Sequence, residues 1–306
     1  MSKAWITLIT RDSYLPGALV LATSLSRLSK YPLVALCTPD LSDLSRKILD
    51  DAGAIIRNIE YLTPAVSGEL SERFQTTWTK LQVFSLFEYE MIAMLDSDML
   101  VLQSMDELFE MDLPDGFIAS THVCTCNPLK ISSYPRDWIP ENCPHTLAKG
   151  KIPLSRSNFT KPTHHLLNSG IVVLKPCADS LNKILFTLQN DHIVSTFRFP
   201  DQDLLAYVFK DRFIPLGYVY NALKTLRYCH PNMWDDSEVK NVHYIIDKPW
   251  DKRVEDMNLG DPNRETQSWW WDAYTSMMQS WVEREGKDFV ESLVAPEITP
   301  ETRYHL

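Results

Sequence analysis

The sequence has no surplus of basic charge. Lysine and arginine number 30 against 40 aspartates and glutamates, giving a formal net charge of −10 and a pI near 5.3. A nucleic-acid binder normally carries a basic footprint, so that class is set aside and an enzyme of small molecules suits the charge better. Long apolar runs are also missing. Nowhere do the ~18 apolar residues needed to span a bilayer stand together. The N-terminus, MSKAWITLITRDSY, lacks the uninterrupted apolar region and small-residue cleavage site of a secretory signal. The expectation is a cytoplasmic chain with no membrane span, and with the sequon Asn158-Phe159-Thr160 unglycosylated. Cysteine is sparse: Cys37, Cys124, Cys126, Cys143, Cys177 and Cys229. The spacing Cys124-Thr125-Cys126 with Cys143 suggests a zinc site, but no C-x-x-C and no second close pair completes it. The six are therefore read as reduced, packed thiols. No internal repeat and no low-complexity tract appears.

What is present is an alternation of strand and helix signals. Ala4–Ile9 is a short apolar run fit for a buried strand. Pro16 opens a helical pattern through Leu19, Ala22, Leu25 and Leu28. Leu33–Cys37 reads as a strand and LSDLSRKILDDAG as a helix, with Ser42 as N-cap and Gly53 as its stop. Ala54–Asn58 is a third strand, Trp78–Phe87 a helix and Met91–Leu95 a fourth strand. This order predicts an α/β fold with a mostly parallel sheet and helices on both faces. The stretch from about 123 to 165 changes character. It is rich in proline, serine, asparagine and cysteine without a clean period, and reads as a long irregular excursion. A strand at Ser169–Leu174 follows, then helices from about Ala178 to Gln189 and Gln202 to Phe209. The tail carries WWWDAY (Trp269–Tyr274) on an expected helix, where core packing is favoured over dimerisation or a carbohydrate platform. The division expected is a catalytic domain over 1–250, including the excursion, and a C-terminal helical extension over 251–306.

One segment conflicts with simple burial. MIAMLDSDMLVL places Asp96 and Asp98 at the carboxyl end of the fourth strand. Ligands of open parallel sheets bind beyond the carboxyl ends of the strands. Residues two apart in extended chain face the same side, so both carboxylates converge on one point. Uncompensated, they would be costly. A hard divalent cation such as Mg²⁺, Mn²⁺ or Ca²⁺ removes that cost. The bland alternative is a turn after a strand, where Asp and Ser are common.

Five stretches in order carry a resemblance: TLITRDSYLPGALVLATSL, TTWTKLQVFSLFEYEMIAMLDSDMLVLQSMDELF, LLNSGIVVLKP, FPDQDLL and VHYIIDKPW. Together they resemble family-8 retaining glycosyltransferases, whose members include glycogenin and galactinol synthase, over about Ala4 to Trp281. The tail resembles galactinol synthase and its fungal relatives most. The resemblance implies a GT-A fold, a Rossmann-like nucleotide-sugar-binding sheet, and assigns roles by position. Asp96 and Asp98 match the metal-binding Asp-x-Asp pair, with Ser97 between them at the nucleotide, and His243 matches the third metal ligand. An imidazole ligand favours Mn²⁺ over Ca²⁺, with Mg²⁺ the second choice. Lys248 matches a lysine that reaches the diphosphate, and Thr10, Arg11 and Tyr14 match the nucleotide-binding loop. Lys80, Asn168 and Ser169 match contacts to the sugar nucleotide. Asp201 and Gln202 match the pair beside the anomeric carbon, where the bland reading makes Asp201 a helix N-cap after Pro200.

The reaction implied is transfer of a hexose from a UDP-sugar to a hydroxyl with retention. A covalent intermediate and front-face attack both stay open. Galactinol synthase-like transfer from UDP-galactose to myo-inositol is the leading expectation. Glucosyl or N-acetylglucosaminyl transfer to a protein or glycan, and a non-catalytic scaffold, are the alternatives, and a homodimer is left open. Two departures stand out. The family's His-x-x-Gly-x-x-Lys-Pro-Trp is here HYIIDKPW, one residue shorter and without glycine. The segment Cys124–Cys143 replaces a short connection and should reshape the acceptor site. No counterpart of glycogenin's self-glucosylated tyrosine is evident, with Tyr228 the one alternative.

Overall fold

A computed structural model describes residues 2–62, 77–281 and 285–295. Seven strands form the main sheet: β1 Ser2–Ile9, β2 Leu33–Cys37, β3 Ile55–Asn58, β4 Tyr89–Leu95, β6 Ile118–His122, β7 Leu167–Leu174 and β8 Phe213–Leu216. Their order is β3-β2-β1-β4-β7-β6-β8. The pairs β1–β2, β2–β3, β1–β4 and β6–β8 are parallel, while β7 runs against both neighbours. The reversal has a plain cause. After β6 the chain makes its long excursion at the carboxyl edge of the sheet and re-enters from that same edge. The amino end of β7 therefore lies beside the carboxyl end of β4, and Leu95 pairs with Ile171.

A second, three-stranded sheet joins β5 Met99–Val101, β10 Asn241–His243 and β9 Ala222–Leu223 in that spatial order. β10 runs antiparallel to β5, which pairs His243 with Met99. A strand of three residues at the tail thereby lands next to Asp98.

The main sheet is covered on both faces, and strand alternation sorts the side chains. Trp5 and Ile9 of β1, Ala93 of β4 and Val173 of β7 face one core with helix α1, Leu15–Leu28. Ala4, Ile6, Ile92 and Val172 face the other, with the helices Ala178–Leu188 and Pro200–Val208. Helix α2, Asp43–Asp51, starts where Ser42 accepts from the Ser45 N–H and ends before Gly53 at φ +93. The helix expected over Trp78–Phe87 is α-helical only over residues 77–79 and tightens to a 3₁₀ turn over Lys80–Ser85. That turn buries Leu81, Val83 and Phe84 under the sheet while Lys80 reaches its carboxyl edge.

The excursion holds only short 3₁₀ turns, as its composition suggests. The helix Arg264–Gln279 carries the tryptophans. Trp270 is fully buried, stacks on Tyr274 at 5.1 Å between centroids and meets Trp250 at 5.7 Å. No helix among the described residues is long and apolar enough to cross a membrane.

Trp270→Ala removes one of the largest buried side chains, which typically costs about 3–5 kcal/mol. Urea unfolding is expected to show a loss of that size, and a loss below about 1 kcal/mol would mean the helix contributes little to the core.

Candidate functional site

The site grows from the edge where β4 ends. The Asp96 N–H donates to the Gly170 carbonyl at 3.0 Å, and the Tyr244 N–H donates to the Asp98 carbonyl at 3.0 Å. The Asp-Ser-Asp turn is thus tied on one side to β7 and on the other to the chain leaving β10. Two glycines permit the close approach. A β-carbon on Gly170 would fall 2.5 Å from the His243 ring, and one on Gly17 would fall 2.4 Å from the Trp250 ring and 2.6 Å from the Ser97 carbonyl.

Three carboxylates face this cleft and two ammonium groups answer them. Lys80, nearly buried, places Nζ 2.6 Å from Asp96, 3.2 Å from Asp201 and 2.6 Å from the Ser169 carbonyl. Lys248 places Nζ 2.5 Å from Asp98 and 3.1 Å from the Tyr244 carbonyl. Burial pushes the Asp96 carboxyl up, and the neighbouring Asp98 adds to that against the pull of Lys80. Burial acts on Asp98 too, yet Lys248 and His243 outweigh it and hold Asp98 well below the usual carboxylate range. The Lys80 ammonium is destabilised by burial, but Asp96 and Asp201 more than compensate and raise its pKa.

His243 completes the group, with Nε2 3.3 Å from Asp98 and 3.7 Å from Asp96. Its tautomer follows from a chain of hydrogen bonds. The Gly170 N–H donates to Asn168 Oδ1 at 3.0 Å, so that atom is an acceptor. Asn221 Nδ2 donates to the same oxygen at 2.8 Å and to Thr121 Oγ1 at 2.9 Å. Asn221 Oδ1 is therefore the atom that meets His243 Nδ1 at 2.8 Å, and Nδ1 carries the proton. Nε2 therefore faces both carboxylates, and in the neutral ring its lone pair is available to a cation standing among them. The ligand atoms of Asp96, Asp98 and His243 all lie within 4.8 Å of one another. Two hard oxygens and one neutral imidazole, oriented by an outer amide, fit a divalent cation.

The remaining expected residues distribute over two adjoining clefts. Thr10, Arg11, Tyr14, Ser97, Ser169 and Asp201 line the polar cleft with Lys80, Asp96 and Asp98. Asp12 fixes the first loop, since its Oδ1 accepts from the Ser42 N–H and the Ser45 hydroxyl at the start of α2. Tyr14 stands edge-on to Trp250, with Arg11 and Lys248 over its ring. Asn168 and Gln202 belong to the second cleft, which is mostly apolar. The neighbours Asn168 and Ser169 therefore open to opposite sides, as do Asp201 and Gln202, and the two pairs form the ridge between the clefts. Gln202 Oε1 accepts from Asn168 Nδ2 at 3.4 Å, while its buried Nε2 has no protein partner.

Three details differ from expectation. Asp201 is not the cap of its helix. Phe199 occupies the N-cap, and Asp203 accepts from the Arg198 and Phe199 N–H groups at 2.7 and 3.0 Å, leaving Asp201 free to meet Lys80. In the shortened tail loop, which lacks glycine, Ile246 has φ +68, a left-handed conformation costly for a β-branched residue. Lys224, buried and without a motif to mark it, holds that loop by donating to the Asp247 carbonyl at 2.6 Å. Neither Lys224 nor Asn221 carries a signal in the sequence, because each acts only through partners distant along the chain.

The second cleft is walled by the excursion. Trp138 stacks on Phe199 at 4.9 Å, and Tyr134 meets both edge-on. Leu129, Ile131 and Ile246 extend the apolar lining.

Comparison with known proteins agrees with this architecture. The family model described as "Glycosyl transferase family 8" matches residues 5–253. "Galactinol synthase 7" of Arabidopsis thaliana is 30% identical over 282 residues, covering 89% of this chain and 81% of that protein. "Galactinol synthase 1" of Solanum lycopersicum is 29% identical over 278 residues, covering 88% and 81%. Among solved structures, the galactosyltransferase LgtC in complex with donor and acceptor sugar analogs superimposes with a TM-score of 0.59 at 16% identity, covering 89% of this chain and 95% of that one.

Asn221→Ala should free the His243 ring. Mn²⁺ binding, followed by the electron paramagnetic resonance of the free ion, is expected to weaken about 10- to 100-fold. Unchanged Mn²⁺ affinity would show that Asn221 supports only packing.

Proposed function

We propose, on the premise that the chain belongs to glycosyl transferase family 8, that it moves galactose from UDP-galactose to myo-inositol with Mn²⁺ as its metal. Membership makes it a retaining hexosyltransferase with the GT-A fold, and enzymes of this family take UDP-sugar donors and typically a divalent metal. The observation that carries the proposal is the ridge: a polar, charged cleft and an aromatic one meet along Asn168–Ser169 and Asp201–Gln202. One side suits a nucleotide diphosphate and the other the apolar faces of a cyclitol ring.

The charges support this reading. Lys80, Lys248 and Arg11 answer Asp96, Asp98 and Asp201, so the cleft is balanced in formal charge. A divalent cation on Asp96, Asp98 and His243 would make it positive and match a diphosphate. When bound, it would supply Lewis-acid stabilisation of charge on the leaving phosphate oxygen.

The chain's own residues do the rest. Lys248 offers an ammonium toward the same charge, held at the cleft by Asp98 and the Tyr244 carbonyl, with Trp250 two residues on packed against Trp270. Thr10, Arg11 and Tyr14 form the nucleotide side, with Ser97 beside them. Lys80 and Ser169 bound the donor sugar, and Asn168 orients Gln202. The unpartnered Gln202 amide is free to donate to sugar or acceptor hydroxyls across the ridge. Asp201, fixed by Lys80, lies on the sugar side and is placed to stabilise positive charge at the anomeric carbon. The same reading treats 1–250 as the catalytic domain and the remainder as an extension whose tryptophans buttress Lys248. The family match ending at residue 253 supports that boundary.

Uridine diphosphate release from UDP-galactose, UDP-glucose and UDP-N-acetylglucosamine, with Mn²⁺ or EDTA and with or without myo-inositol, tests the proposal. The expected result is Mn²⁺-dependent release from UDP-galactose that myo-inositol stimulates. Turnover that ignores myo-inositol, or that prefers another donor, would overturn the substrate assignment. Asp98→Asn is expected to abolish metal-dependent turnover in folded protein, and full activity would remove the metal assignment. Asp201→Ala should lower kcat far more than UDP affinity, whereas equal losses would make Asp201 a structural partner of Lys80.

A further inference from the structure

The excursion brings together residues that the sequence leaves apart. Cys124 and Cys126 flank the buried Thr125 just beyond β6. Cys143 closes the turn Pro140–Asn142, and His230 caps the short helix Leu226–Cys229. In the fold, His230 Nε2 lies 3.7, 3.2 and 3.4 Å from the sulfurs of Cys124, Cys126 and Cys143, and the Cys124 and Cys143 sulfurs are 4.0 Å apart. All four ligand atoms fall within 4.8 Å of one another. A tetrahedral ion with Zn–S near 2.3 Å and Zn–N near 2.0–2.1 Å requires S···S of about 3.8 Å and S···N of about 3.5 Å. The observed separations surround those values.

The sequence reading treated the cysteines as packed, unliganded thiols. The ligand missing from it was His230, 87 residues beyond Cys143. None of the cysteines is in a disulfide. The four groups come from three separate segments, and nothing in apolar packing alone requires three sulfurs to converge on one imidazole nitrogen. The His230 backbone is itself fixed, its N–H donating to the Leu226 carbonyl at 2.8 Å.

We propose that Cys124, Cys126, Cys143 and His230 hold a structural Zn²⁺. Each cysteine gives up its thiol proton on binding, so three thiolates and one neutral imidazole surround the ion. Four protein ligands leave no open position, which makes the site structural rather than catalytic. Soft thiolates select zinc here, whereas the carboxylate-rich trio at the end of β4 suits a harder ion, so one chain keeps two metals apart by ligand chemistry.

The staple has a clear mechanical role. Between its second and third cysteines lie Leu129, Ile131, Tyr134 and Trp138, the wall of the apolar cleft. That stretch has no strand or α-helix, and Asn127 and Lys130 take left-handed φ of +44 and +51. The ion pins this wall to the segment carrying His230. The link to acceptor binding rests on the function proposed above, while the metal site does not.

The test uses the full chain, expressed with zinc in the medium and dialysed against metal-free buffer. Elemental analysis is expected to find one zinc per chain, released by a mercurial that blocks thiols. Cobalt(II) taken up in its place should give the visible bands of a tetrahedral thiolate site. Cys126→Ser and His230→Ala should each lose the zinc while Mn²⁺ still binds. Their kcat/KM for the acceptor should fall about 10- to 100-fold through displacement of the wall, with UDP affinity kept. Wild-type protein without zinc and without cobalt–thiolate bands overturns the proposal, as does a thiol titration in denaturant two short of six, which would mean a disulfide. Zinc present without any sugar transfer would sink the functional reading and leave the zinc site standing. Transfer without zinc would do the reverse.

Discussion

The architecture turns on the burial of three carboxylates at one edge of a sheet. Removing a carboxylate from water costs several kcal/mol unless it is paired and hydrogen-bonded. Asp96, Asp98 and Asp201 converge there, so the fold must bring cations to the same place. It does so with Lys80 from the turn before β4 and Lys248 from the tail, while His243, from a strand of three residues, completes a trio suited to a divalent ion. Each delivery constrains another part of the chain. Lys248 needs Trp250 lodged against Gly17, and Trp250 in turn needs the buried Trp270. His243 needs Gly170 beneath its ring and Asn221 on its outer nitrogen.

The reversal of β7 is the second organising fact. A wholly parallel sheet would place the amino end of that strand at the far edge. Running backwards, it sets Asn168 and Ser169 beside Asp96, where pleating turns one residue to each side. The first turn of the helix at Pro200 repeats the device with Asp201 and Gln202. Two neighbouring pairs thereby make a thin partition between a charged cleft and an aromatic one. On the function proposed, the charged cleft takes the nucleotide diphosphate and the aromatic one the acceptor. The excursion supplies the aromatic wall, and its lack of regular structure is the reason a metal staple is useful to it.

Features set by near neighbours in the chain could be read early. The strands, the Ser42 cap, the irregular excursion and the Asp96–Asp98 spacing depend on residues a few positions apart. Lys80, Lys248 and His243 were visible because they stand in local motifs. Asp201 was legible as a site residue, but its bland reading as a cap failed because the helix starts at Pro200 with Phe199 as N-cap, and Asp203 accepts from the Arg198 and Phe199 N–H groups. The tail loop has no glycine, yet Ile246 adopts a left-handed backbone, in a loop that Lys224 holds through the Asp247 carbonyl.

The sequence by itself determined the fold class and the two carboxylates that converge, through periodicity and short spacing, and its resemblance to family-8 motifs pointed to Lys80, Lys248 and His243 as their partners. Only the tertiary structure decided which way β7 runs, which nitrogen of His243 carries its proton and that His230 joins three cysteines. Each of these depends on groups dozens of residues apart meeting within about 3–4 Å, a distance fixed by the packing of two sheets against their helices and written in no local stretch of the chain.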